Sequence, residues 1–191
     1  MSCNIKTSNV YIPNSQLGID TYIDSEFDTK NFSSDKELKI TNFSFKDSTV
    51  KENRSLLKIR CSSIPKKAIV DSAFLYLYIS KSEQLESPYV IDIENIVEDW
   101  DVTSVNWFNQ PKTDSKVVAQ IIVKEEQRNY YKVDLTQFIR ALVDEKFSNY
   151  GLMFKTNLEK SKSGIISFLS SDTKDLDSRP KLKVYFNQNI F

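Results

Sequence analysis

The sequence predicts an all-β protein, an antiparallel two-sheet β-sandwich with one short helix, and three observations predict it. Short runs of β-type residues recur along the chain, separated by turns of Ser, Asp, Asn and Lys. Several runs alternate strictly between two faces, the mark of half-buried antiparallel strands. Aromatic residues make up 12%, with nine Tyr and twelve Phe, a bias that suits pleated strands better than helices. At 191 residues, 40% of them hydrophobic, the chain is long enough for one sizeable core and short for two.

In chain order, residues 1–17 are polar and aperiodic and are expected as an N-terminal arm. Val10, Tyr11, Ile12 and Leu17 give it enough apolar character for one short added strand. Strands are expected over Thr21–Ile23, Leu38–Phe45, Ser55–Cys61, Ala73–Ser80 and Tyr89–Ile93. They are expected again over Val117–Val123, Tyr130–Leu135, Leu152–Lys155, Ile165–Ser171 and Leu182–Phe186. In Ala73–Ile79 the aliphatic side chains take one face and Phe74, Tyr76 and Tyr78 the other; Leu57, Ile59 and Cys61 oppose Lys58 and Arg60 in the same way. Leu57, Ile59, Leu75, Leu77, Val133, Leu135, Leu152, Leu182 and Val184 are therefore expected to fill the space between the sheets. Phe138, Ile139, Leu142 and Val143 recur at helical spacing, so a helix is expected near residues 135–145, capped by Asp134 or Thr136 and closing one end of the sandwich. No internal repeat and no Gly/Pro-rich linker interrupts the chain, so residues 18–191 are expected as a single domain.

Composition excludes several classes of function. Gly18, Gly151 and Gly164 are the only glycines and stand alone, so no phosphate-cradling loop can be built. The 26 basic and 26 acidic residues cancel, which removes the electrostatic reason to expect nucleic acid or insertion at an anionic membrane. Histidine is missing, and with it the commonest general base and zinc ligand. No enzyme activity, no cofactor and no metal is expected. Cys3 and Cys61 cannot form a disulfide framework: Cys61 is expected as a buried thiol, and Cys3 as an accessible one able to cross-link neighbouring subunits. The first residues carry no apolar run of signal-peptide length, and no later stretch reaches membrane-spanning length.

The order of short motifs adds a resemblance. Asp20-Thr-Tyr-Ile is followed by Asn53-Arg-Ser-Leu-Leu-Lys-Ile, Ser63-Ile-Pro and Ala68-Ile-Val-Asp-Ser-Ala-Phe-Leu-Tyr-Leu-Tyr. Then come Glu98-Asp-Trp, Val105-Asn-Trp-Phe-Asn-Gln-Pro, Val133-Asp-Leu-Thr, Asn149-Tyr-Gly-Leu, Ser170-Ser-Asp and Ser178-Arg-Pro-Lys-Leu. From about residue 20 to 186 this series resembles the DNRLRE domain family of bacterial secreted and surface proteins. The resemblance implies a jelly-roll-like sandwich without catalytic residues. It also implies kinship with modules that bind acidic polysaccharides and with repeated parts of surface proteins.

Candidate residues follow. Phe74, Tyr76 and Tyr78 form an aromatic stripe that is a sugar platform, a subunit contact or a shelf under the chain's own arm. Trp100 and Trp107 are either sugar-stacking rings or packing under a loop. Arg54, Glu98, Asp99 and Arg179 are expected first as half-buried ion pairs pinning loops to the sheets, and otherwise as a ligand-gripping cluster. A catalytic carboxylate pair among Glu98, Asp99 and Asp101 is the remote alternative. Asp20, Asp24 and Asp28 are expected as a solvated polar loop rather than a calcium site. Two functions remain open. The first is a structural or adhesive subunit of a bacterial surface assembly such as a spore appendage, coat layer or phage-type fibre. It would join as a homo-oligomer through Cys3, Val10, Tyr11 and Ile12 of the arm, placed without a signal peptide at a cell or spore surface, released as an assembly, or otherwise cytoplasmic. The second is a carbohydrate-binding module that recognises a polysaccharide.

Overall fold

The structure, a computed structural model, describes residues 3–12, 18–44, 50–66, 68–83, 86–123 and 129–190. Among the described residues eleven strands form: β1 (Cys3–Tyr11), β2 (Gly18–Asp24), β3 (Glu37–Ser44), β4 (Val50–Ile59), β5 (Ile69–Glu83) and β6 (Tyr89–Ile96). After them come β7 (Thr113–Val123), β8 (Tyr130–Asp134), β9 (Leu152–Thr156), β10 (Gly164–Leu169) and β11 (Lys181–Ile190). Helix α1 (Thr136–Val143) lies between β8 and β9. Every strand pairing is antiparallel. Each of the ten expected runs falls on one of β2 to β11, and β1 is the addition.

The strands do not separate into two independently paired sheets. Pairing runs unbroken in the order β1-β11-β5-β10-β3-β4-β9-β6-β7, with β2 joined to β4 and β8 to β5, so the sheet curls around its core. Two strands carry it around the bends. On β5, residues 69–76 pair with β11 and residues 79–83 with β10; Ser167 faces Lys81 and Phe168 faces Ile79, so Ser80 is an extra residue at a bulge. On β4, residues 50–53 pair with β3 and residues 55–57 with β9. A long strand shared between consecutive partners, kinked at a bulge, is the usual way a sheet turns a corner.

All nine residues expected inside belong to one buried cluster, together with Leu38, Ile40, Ile91, Phe154, Phe168 and Phe186. Alternation in β5 holds as expected: Ala73, Leu75 and Leu77 point in, Phe74, Tyr76 and Tyr78 point out. α1 packs Phe138 and Ile139 into the same cluster. The Asp134 carboxylate accepts the Thr136 backbone N–H at 2.8 Å, which supplies the expected start signal from one residue before the cap position. A register shift at Asp71 lets Arg140 of α1 donate to the carbonyls of Val70 and Asp71 at 2.8 and 3.0 Å.

A second, smaller cluster lies behind β2, β4, β6 and β9, formed by Ile23, Leu56, Ile96 and Met153 with Trp100 and Val105. The long β6–β7 connection covers it. Gly151 sits at φ +102°, and an added Cβ would stand 2.7 Å from the Leu57 carbonyl oxygen, so only glycine fits there. Among the described residues no helix is long and apolar enough to cross a membrane.

Within the expected arm, residues 3–11 form strand β1. They pair in full register with β11 of the same chain, from Cys3 opposite Ile190 to Tyr11 opposite Leu182. Tyr11 is buried in the main core, and its hydroxyl lies 2.9 Å from that of Ser63. Leu17 and the Cys3 side chain lie outside what the structure describes.

Candidate functional site

Several motif residues make contacts to neighbouring loops and strands. Arg54 makes two hydrogen bonds to Glu52, at 2.6 and 3.1 Å, a third to Gln110 at 2.8 Å, and stacks 4.6 Å above the Trp107 ring. Glu98 accepts the Lys112 N–H at 2.8 Å, and Asp99 pairs with Lys58 at 3.1 Å. Arg179 donates twice to the Thr173 carbonyl, at 3.0 and 2.8 Å. Trp100 is buried and donates its indole N–H to the Tyr150 carbonyl at 2.7 Å. Trp107 is half-buried against the second cluster. Both tryptophans belong to the β6–β7 connection and pack from it onto the second cluster, with Trp107 also serving as a shelf for Arg54.

Asp20 and Asp24 differ from the expected solvated loop. Both are buried in β2, and only Asp28 is exposed. Asp20 accepts the Ser171 N–H at 2.8 Å and its hydroxyl at 2.9 Å, tying β2 to the segment after β10. Burial raises its pKa from 3.8 to about 6 against the pull of those bonds. Among the described residues no group of three or more Cys, Asp and Glu could hold a metal ion. Cys61 packs partly buried against the main cluster, and burial pushes its thiol up to about 12. It is an inert core sulfur.

What remains is the outward face of β5 and its neighbours. Phe74, Tyr76 and Tyr78 follow one another about 7 Å apart along the strand. Register places Lys132 beside Tyr76 and Tyr130 beside Tyr78 on the β8 side. On the other side Lys181 faces Tyr76 and Lys183 faces Phe74. The Tyr130 ring lies 5.8 Å from that of Tyr76 and 5.5 Å from that of Tyr78. The Lys132 ammonium stands 3.8 Å from the Phe74 ring centre, Lys181 5.3 Å from Tyr78, and Lys183 5.1 Å from Tyr185. A hydrogen bond with Tyr185 raises the Lys183 pKa, so this ammonium stays charged. β1 extends this face at its margin, with Val10 opposite Lys183, and lies beside the stripe instead of over it.

Five rings and three lysines thus share one outward sheet face. Sequence reasoning found three of the rings. It missed Tyr130, Lys132, Lys181, Lys183 and Tyr185, although each alternates with an inward neighbour in β8 or β11. Alternation assigns them to an outer face; only strand register shows that it is the same one.

Rings and cations side by side on a sheet face are groups with which a binding module can meet a ligand. The chain belongs to carbohydrate-binding module family 96, whose family model matches residues 13–185. No curated protein matches it significantly. The family agrees with the second function left open by the sequence better than with the surface-assembly subunit, and it is compatible with a non-catalytic role.

Proposed function

We propose that the protein binds a polysaccharide along the outward face of β8, β5 and β11, and that the sugar units it prefers carry carboxylates. The row Phe74-Tyr76-Tyr78 carries this reading: apolar sugar faces stack on rings, and the ring edges and hydroxyls remain free for polar contacts. Lys132, Lys181 and Lys183 flank the row at the spacing of neighbouring strands and supply cations for acidic units. Such a ligand is met outside the cell, at a bacterial surface or in a released assembly.

Calorimetry against uronate polymers and neutral glucans, xylans and mannans tests this. Tyr76→Ala is expected to weaken uronate binding about tenfold, or about 1.4 kcal/mol, at unchanged folding stability. Raising the salt should weaken it further, because exposed charge pairs are screened. Undiminished binding by both Tyr76→Ala and Lys183→Ala would remove the platform from the mechanism.

Self-association is a second reading, supported by one observation: β1 ends the sheet as an edge strand with Val10 exposed. An open edge is a template for pairing with a second copy. A monomer at every concentration by light scattering rules it out.

A further inference from the structure

Beyond the bulge at Ser80 the same strand, β5, borders a groove that the platform does not use. It is about 440 Å³ in volume and opens over β3, β4 and β10. Thr41, Asn53 and Ser167 form its centre: Thr41 is the register partner of both Asn53 and Ile165, and Ser167 lies between Lys39 and Lys81. Phe43 and Ile165 supply apolar wall, and Asp24 closes the side next to β2. That volume falls within the range of about 300–1,000 Å³ found for small-molecule sites, but the lining is more polar than usual.

Two features say what such a groove would take. Asn53 is 3% exposed, and its side-chain Nδ2 has no hydrogen-bond partner among the described residues. A buried amide N–H left unmade is costly, and a ligand oxygen beside it would relieve that cost. The cations of the groove are already neutralised locally: Lys39 lies 3.7 Å from Asp35, Lys81 lies 3.1 Å from Glu83, and Lys51 pairs with Glu26. The groove offers donors, acceptors and two apolar side chains without a surplus of positive charge.

We infer that this groove is a second carbohydrate subsite that takes an uncharged, hydroxyl-rich sugar unit, with Asn53 donating to a sugar oxygen and Thr41, Ser167 and Asp24 completing its polar contacts. The inference rests on the carbohydrate-binding reading but does not need the platform to be the site of acidic sugars.

The test is amide-resolved NMR titration of the full chain with neutral gluco-, xylo- and manno-oligosaccharides, and separately with oligouronates. At least one neutral oligosaccharide is expected to shift Thr41, Asn53 and Ser167 saturably. Asn53→Ala should weaken that binding about tenfold or more. Because Asn53 is buried, the partly exposed wall residues Phe43 and Ile165 provide the second variants, and Phe43→Ala and Ile165→Ala should each weaken it several-fold. If no neutral sugar shifts these amides while oligouronates shift Tyr76 and Tyr130, the groove inference is wrong and the platform reading stands. If neutral sugars bind the groove and uronates bind nowhere, the platform reading fails alone. Groove shifts produced only by oligouronates would also overturn the inference, since they would show a cation site.

Discussion

Replacing Asp20 by Asn should make the protein more stable at neutral pH. Asp20 is 3% exposed and keeps its charge only against burial, which raises its pKa from 3.8 to about 6. Between those values the folded protein holds a proton that the unfolded chain has released. The group's stabilising contribution is therefore fully present below 3.8 and is lost as the pH rises through about 6. At about 1.4 kcal/mol per pH unit, the ionised carboxylate costs about 3 kcal/mol relative to its protonated form. Asparagine keeps one oxygen to accept the Ser171 N–H but gives up the second acceptor, which offsets about 1 kcal/mol of the gain. The net expectation is about 2 kcal/mol of added stability near pH 8, falling with pH and reversing to a loss of about 1 kcal/mol below pH 4. Urea unfolding of both proteins across that range measures it. A variant that is less stable near pH 8, or a difference that ignores pH, would show that Ser171 and the nearby Arg179 charge outweigh burial.

Arg54→Ala should be among the most harmful single changes. It leaves Glu52, whose side chain is 9% exposed, without its cation and strips the cover from Trp107, at a cost of about 3–5 kcal/mol. Adding Glu52→Gln should recover part of that loss in a double-mutant cycle by chemical denaturation. Tyr11→Ala should cost about 3 kcal/mol, because the ring belongs to the main core. Deleting residues 2–17 should cost at least as much, since it also uncovers the edge of β11. Thermal unfolding checks both, and a truncated chain as stable as the full one would show that β1 adds nothing to the fold.

The inward half of the fold was legible because alternation is a local property. Leu57, Ile59, Leu75, Leu77, Leu182 and Val184 announce their face within their own strands, and the core confirms each of them. Strand β1 was legible only at its end: Val10 and Tyr11 suggest one short added strand, whereas Lys6, Thr7, Ser8 and Asn9 show no apolar alternation, because an edge strand with few core contacts is held by backbone pairing to β11. The burial of Asp20 and Asp24 was hidden for a related reason. Their partners, Ser171 and the Glu26 backbone, satisfy a carboxylate inside a strand, and nothing in the local pattern marks that. The platform was half legible. Its rings on β5 show by alternation, while its lysines come from strands 50 or more residues away, adjacent only through register. The groove was illegible, since it depends on a one-residue bulge at Ser80 that shifts the register of β5 against β10.

The position of the platform on β5 bears on how it would bind. β5 is paired on both edges over residues 74–76, with β8 on one side and β11 on the other. Behind Phe74, Tyr76 and Tyr78 stand Ala73, Leu75 and Leu77, all essentially inaccessible. The backbone that carries the rings is thus fixed by two ladders and by the core, and each ring leans on a neighbour across the strand. Little freedom is left to lose when a ligand settles on it, so the contact energy goes mostly into affinity. The lysines differ. Their stems are long, Lys181 already lies 3.7 Å from Asp177, and each charge contributes modestly and is weakened by salt. A face built this way would take its affinity from rigid rings and its preference for acidic sugars from mobile cations. Ring removal should then lower affinity for every polymer that binds the platform, and lysine removal should narrow the gap between acidic and neutral ones.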